Sequence, residues 1–212
     1  MPSVDEIKAE IRRKIWRAMD EKRVSRPPRP IEGRIPNFIG AEEACEKVSR
    51  LPEFLKALVI KVNPDSPQTH ARYLALSMSK IVIMPTPRLR EGFLLLDPQR
   101  IPRDRLREAS TIRGSFTWGG YADLEYGILR ELGAVDENTP VITTVHDIQI
   151  LDQEIPMEDH DLPVDIIVTP SRILRIERAY EKPKGIYWDK LDSRAYREIP
   201  VLKGLRDLVA SR

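Results

Sequence analysis

Val4, Ile7, Ile11, Ile15 and Met19 recur three or four positions apart, with Lys8, Arg12 and Arg13 off that stripe. The spacing predicts a helix from Ser3 to Lys22 with one apolar face on a core. "SVDE" supplies its start, with Ser3 as cap and Glu6 as its reciprocal partner. The pattern fails over "SRPPRPIEGRIPNF", whose prolines remove donors and fix the backbone. This predicts an extended arm laid on the body through Ile31, Ile35 and Phe38. A second amphipathic stretch predicts a helix from Ala41 to Leu51.

Beyond it, short continuous apolar runs alternate with helical patterns. "ALVIKV", "KIVIMP", "EGFLLL", "PVITTVHD", "VDIIVTP" and "RILRIER" read as strands, the last near an edge. "THARYLALSM", "PRDRLREA", Asp123 to Leu132 with Gly133 as stop, and a tail from Trp188 to Val209 broken at Pro200 read as helices. Apolar strands separated by helices predict an α/β fold: three layers, α/β/α, around a mostly parallel sheet. At 212 residues this is read as one domain spanning 1–212.

Composition narrows the function classes. Thirty-five basic and 33 acidic residues are intermixed, for a net charge of +2, which describes a solvated surface and gives no argument for nucleic acid. Trp16, Trp118 and Trp188 are too scattered for a base-stacking platform. The longest apolar runs are strand-length and the start does not resemble a signal peptide, so a cytoplasmic protein with no membrane partner is expected. Cys45, the sole cysteine, lies on the apolar face of its helix and reads as packing.

Three stretches carry candidate chemistry. In "GGYADLE", Gly119 and Gly120 let backbone amides close on a phosphate, with Asp123 holding magnesium directly or through water. The alternative is a plain helix start whose acids complement the dipole. In "HDIQILDQEIPMEDHD", Gln149, His160 and Asp161 follow a strand end, where ligands bind in open α/β sheets. They either touch a ligand or hold the loop. Lys8 and Arg12 form either a solvated face or a pair of cations for a triphosphate. No Walker A loop, Rossmann fingerprint or nucleophile elbow occurs.

These stretches together resemble the 5-formyltetrahydrofolate cyclo-ligase family, in the branch carrying "GYADLEYGIL". "IKAEIR", "MPTPRLREGFLLL", "GGYADLEYGILRELG" and "HDIQILDQEIPMEDHDLPVDIIVTP" match in order. In the last, Gln149, Pro156, Asp161, Pro163, Asp165 and Thr169 fall at the family's spacing. The resemblance implies a reaction in which ATP phosphorylates the formyl oxygen of 5-formyltetrahydrofolate and N10 closes the ring to 5,10-methenyltetrahydrofolate. It implies that Lys8 and Arg12 meet the ATP phosphates, that Gly119, Gly120 and Tyr121 form the phosphate loop, and that Asp123 serves Mg2+. Met84 and Phe116 then line the reduced-folate pocket, with Gln149 and Asp161 nearby.

The departures from the family are specific. "SFTWGGY" replaces a longer glycine series, and "KVNPDSPQ" lacks a glutamate common near the folate. Relatives also carry a further apolar strand ahead of the loop, so the chain reads as joined across an absent stretch near Ser115 to Gly119. Loss of a central strand costs on the order of 10 kcal/mol in unpaired ladders and bared neighbours. Two other readings therefore stand beside the cyclo-ligase: a non-catalytic binding or interaction protein of the same fold, and an enzyme acting on a different pterin.

Overall fold

A computed structural model describes residues 2–86, 89, 92–111, 122–177, 179–191 and 193–210, the side chains of residues 122–124, 194 and 210 excepted. Helix α1 (Val4–Glu21) begins as its sequence predicts. The Glu6 amide donates to Ser3 Oγ at 3.2 Å and the Ser3 amide to Glu6 Oε2 at 2.7 Å. Its apolar stripe delivers Ile15, Trp16 and Met19 to the main core. A side chain as fully buried as Met19 contributes roughly 1.5–3 kcal/mol.

The proline-rich arm is extended and closes on itself, β1 (Ser25–Arg26) pairing antiparallel with β2 (Asn37–Phe38). Ile31 and Phe38 are buried as expected, but Ile35 is 50% exposed. The arm is held beside it by its backbone instead, since Trp16 Nε1 donates to the Arg34 carbonyl at 3.1 Å. Helix α2 (Ala41–Ser49) then buries Ala44, Cys45 and Val48. It starts at Gly40, at φ 87°, where a Cβ atom would meet the Pro170 ring at 2.4 Å. Only glycine satisfies both conditions. Helix α3 (Pro52–Lys56) follows, too short to leave a periodic signal.

The first sheet has the order β3 (Val59–Lys61), β4 (Ile81–Pro85), β5 (Phe93–Leu96). Helix α4 (Thr69–Ser77) carries the chain between β3 and β4, which pair parallel with Val59 opposite Ile81. Strand β5 returns antiparallel. After α5 (Leu106–Ala109), α6 (Ala122–Glu131) leads to the second sheet, in the order β6 (Ile142–Thr144), β7 (Ile166–Val168), β8 (Ile173–Arg175). There β6 and β7 are parallel and β8 antiparallel. Helices α7 (Ser193–Glu198) and α8 (Val201–Ala210) close the chain on either side of Pro200.

The fold is thus mixed α/β, but the described residues form two three-stranded sheets of mixed direction where one mostly parallel sheet is expected. Continuous apolar runs report burial on both faces and carry no information about the direction of a partner. Direction follows the connections: β5 and β8 come after short links that return the chain, whereas a parallel pair needs a long crossover. Val82, Met84, Ile166 and Val168 from both sheets join one core with α1, α2 and α4. A second core gathers Ile128 of α6, Ile186, Ile199, Leu202 and Leu205. Among the described residues no helix is long and apolar enough to cross a membrane.

Candidate functional site

The crossover from β6 to β7 spans residues 145–165 with a single 3-10 turn and no α-helix among its described residues. Connections this long without regular structure are uncommon in compact domains and, where ordered, are usually functional. It starts with a reciprocal cap. The His146 amide donates to Gln149 Oε1 at 2.8 Å, and His146 Nδ1 accepts from the Ile148 amide at 3.2 Å. Nδ1 therefore carries no proton, an assignment made from the hydrogen bond. Gln149 holds the turn. Helix α1 packs against this turn.

Asp147 ties the ends of β6 and β7 together. Its Oδ1 accepts from Thr169 Oγ1 at 2.6 Å and from Ser171 Oγ, with Arg172 Nε 3.6 Å away. Burial pushes this carboxyl up, but the hydroxyls of Ser171 and Thr169 outweigh it and hold it below the usual range.

Further along the crossover, Asp161 Oδ2 accepts from the Glu158 amide at 2.7 Å and from Lys8 Nζ. Glu158 stands 3.9 Å from Lys8 and 3.8 Å from Lys190, whose Nζ lies 2.9 Å from His160 Nδ1. The Lys8 side chain is only 11% exposed and that of Asp161 17%. Burial raises the Asp161 carboxyl, yet the hydrogen bond and charge of Lys8 leave it lowered on balance. An ammonium so nearly buried on a terminal helix is not a solvated face. It is a positioned cation, fixed by two acids.

A second polar cluster closes the carboxyl end of β3. Lys61 Nζ donates to Asn63 Oδ1 and, at 2.5 Å, to Glu125 Oε2 on α6. Glu125 is 1% exposed. Arg72, also buried, braces the loop that follows, donating to the carbonyls of Asn63, Asp65 and Ser110. Burial pulls its guanidinium down to about 10, and Asp65 opposes that shift.

Of the sequence-derived candidates, Lys8 and Asp161 are in contact, and Gln149 sits in the turn on which α1 packs. Arg12 lies one helical turn further on, exposed. Met84 is buried in the main core near the end of β4. Phe116, Gly119, Gly120 and Tyr121 lie outside the described residues, as does the proposed junction near Ser115 to Gly119. Asp123 lies in the first turn of α6, but its side chain is not among those described. Sequence reading missed Lys61 and Glu125. The available signal was a lysine closing an apolar strand and a glutamate three and four residues before Ile128 and Leu129, on the apolar side of its helix. Among the described residues no group of three His, Cys, Asp or Glu could hold a metal ion.

A profile of the 5-formyltetrahydrofolate cyclo-ligase family matches residues 4–115 and 117–170. Proteins named methenyltetrahydrofolate synthase domain-containing protein are similar to this chain. Those of Bos taurus and Mus musculus are each 38% identical, over 234 and 235 aligned positions that cover 94% of this chain and 62% and 63% of the relative. That of Homo sapiens is 35% identical over 234 positions, covering 94% of this chain and 61% of the relative. The chain therefore spans about 62% of the length of such curated relatives. Each aligned span is longer than the chain's own 212 residues, so the relatives carry residues inside it that this chain lacks.

Proposed function

The chain belongs to the 5-formyltetrahydrofolate cyclo-ligase family, and from that premise we propose that it is an ATP-dependent cyclo-ligase making 5,10-methenyltetrahydrofolate from 5-formyltetrahydrofolate. In this reading residues 1–212 form one cyclo-ligase-like unit. The observation that carries it is the nearly buried Lys8 ammonium, held by Asp161 of the crossover between β6 and β7. The formyl oxygen attacks the γ-phosphorus of ATP and ADP leaves. N10 then attacks the activated carbon, and phosphate departs as the ring closes. Both nucleophiles belong to the substrate, so the protein supplies placement and charge neutralisation.

Lys8 and Arg12 neutralise the phosphate oxygens, and Asp161 with Glu158 keeps Lys8 aimed. Gly119, Gly120 and Tyr121 complete the phosphate cradle, while Phe116 walls the pterin and Gln149 sets the loop beside it; Met84, expected there from the resemblance, is buried in the main core and presents no surface to a ligand. Mg2+ bound with the nucleotide's phosphates would need only one or two carboxylates from the protein, and Asp123 is the one assigned.

Incubation with ATP, Mg2+ and 5-formyltetrahydrofolate tests the proposal by the near-ultraviolet absorbance of the methenyl product. Formation of product that Asp123→Asn abolishes without unfolding is expected. ATP binding without product assigns a different pterin. A second reading, a non-catalytic protein of this fold, is favoured by the break in the family match at residue 116, beside the glycine pair. It predicts neither turnover nor nucleotide binding.

A further inference from the structure

The family profile ends at residue 170, yet the alignments with the bovine and mouse relatives cover 94% of the chain and so run on past residue 190. The stretch beyond the profile brings its own cation to the Lys8 site. Trp188–Lys190 form a 3-10 turn in which the Lys190 amide donates to the Tyr187 carbonyl at 3.1 Å. Trp188 packs against the second core, which anchors the turn.

On this turn, Lys190 Nζ lies 6.0 Å from the centre of the Tyr187 ring and 2.9 Å from His160 Nδ1. An ammonium has only donors, so Nδ1 accepts and His160 is the neutral tautomer protonated at Nε2. The Tyr187 ring meets the His160 ring edge to face, with centroids 6.4 Å apart. A neutral acceptor and an aromatic ring thus hold the Lys190 ammonium in place, and neither cancels its charge. Its side chain is 40% exposed, so it meets solvent far more openly than that of Lys8.

Glu158 stands between the two ammoniums. Its Oε2 is 3.9 Å from Lys8 Nζ and its Oε1 is 3.8 Å from Lys190 Nζ. Both distances exceed hydrogen-bond reach, so this carboxylate offsets two charges without a close bond to either. The backbone beneath it is fixed. The Glu158 amide donates to Asp161 Oδ2 at 2.7 Å, and the Glu158 carbonyl accepts from the Asp161 amide at 2.9 Å. The Glu158 side chain, 33% exposed, can therefore swing away while Asp161 alone keeps Lys8 aimed. What suits a pair of ammoniums flanking one point is an oxyanion with more charge than a carboxylate and oxygens on several sides. A phosphate group has both, and its bonds to ammonium groups are charge-assisted.

We propose that Lys190 is a second phosphate-binding residue, closing with Lys8 on the terminal phosphate of the nucleotide as that phosphate displaces the Glu158 carboxylate. This contact rests on the nucleotide reading above and adds to it a residue from outside the family profile. Glu158 is thereby a resident competitor for the two ammoniums, and His160 with Tyr187 positions Lys190.

Calorimetric titration of the full chain with ATP and, separately, with inorganic tripolyphosphate tests this. Lys190→Met should weaken both by about tenfold, the worth of a hydrogen bond to a charged group, and Lys190→Arg should retain most of the affinity. Glu158→Gln should tighten both by about threefold, as expected for loss of a part-exposed competing charge, and the gain should shrink in the Lys190→Met background. A merely structural Glu158 gives the opposite sign. Unchanged affinity for ATP and tripolyphosphate in folded Lys190→Met overturns the proposal, as does weaker binding in Glu158→Gln. It fails equally if Lys190→Met spares ATP and weakens 5-formyltetrahydrofolate, since the ammonium then serves a substrate carboxylate. Loss of phosphate affinity in Lys190→Met, in a chain that forms no methenyl product, upholds the contact and refutes the cyclo-ligase. Product formation by the wild type with unchanged ATP affinity in Lys190→Met does the reverse. A chain that binds neither ATP nor tripolyphosphate overturns both.

Discussion

The Lys8–Asp161 pair gives the sharpest test of the site. At an effective dielectric of about 20, unit charges about 4 Å apart interact by roughly 4 kcal/mol. Exposure of 11% and 17% is small but leaves some solvent screening, which brings the expected coupling to about 2 kcal/mol. A double-mutant cycle of Lys8→Met, Asp161→Asn and the double variant, read by urea unfolding, should return that value. Lys8→Met alone should lose about 2–3 kcal/mol, since it leaves the part-buried Asp161 carboxylate without its cation. The pH dependence has a definite sign. Because the folded pKa of Asp161 is depressed, the coupling is fully present above the unfolded value near 3.9 and fades as pH falls through the folded one. Calorimetric titration should show Lys8→Met weakening ATP binding by tenfold or more, with a smaller loss for Asp161→Asn. A coupling below about 0.5 kcal/mol would refute the reasoning, because it would make the pair an ordinary surface contact. Unchanged ATP affinity in Lys8→Met would separate the ion pair from the nucleotide altogether.

Three further outcomes are expected. Lys61→Met should lower stability by about 3 kcal/mol in urea titration, because Glu125 stays buried without that ammonium, and adding Glu125→Leu should restore much of the loss. Gly40→Ala should cost about 2 kcal/mol or more through the left-handed backbone and the overlap with Pro170, with Pro170→Ala returning only the steric part. Burial pushes the Cys45 thiol up to about 11, so alkylation by iodoacetamide at pH 8 should be negligible in the native protein and become rapid on unfolding.

The sequence was most legible where local chemistry decides structure. The Ser3–Glu6 cap, the stripe ending at Met19 and the glycine stop at Gly133 all announce themselves within one or two turns. The arm at residues 25–38 was legible as extended because proline forbids the alternatives, but Ile35 was misjudged since nothing local reveals that Trp16 grips the backbone beside it. Strand positions were clear and their partners were not, because apolar runs encode burial and pairing is a long-range choice. The same limit hid Lys61–Glu125, partners 64 positions apart in sequence. Lys8–Asp161, separated by 153 positions, was reachable only as two candidates and not as a contact.

At Gly127, a Cβ atom would sit 2.9 Å from the Gly185 carbonyl oxygen, so α6 rides directly on the 185 backbone. The next residue, Ile186, is buried in the second core, and its amide is held by Glu131 Oε1 at 3.1 Å. Helix α6 therefore meets the 185 backbone directly and reaches the carboxyl-terminal helices through the side chains of Ile128, Ile186, Ile199, Leu202 and Leu205. A displacement of α6 would thus be felt first at the 185–186 backbone and only then, through that apolar packing, at α7 and α8.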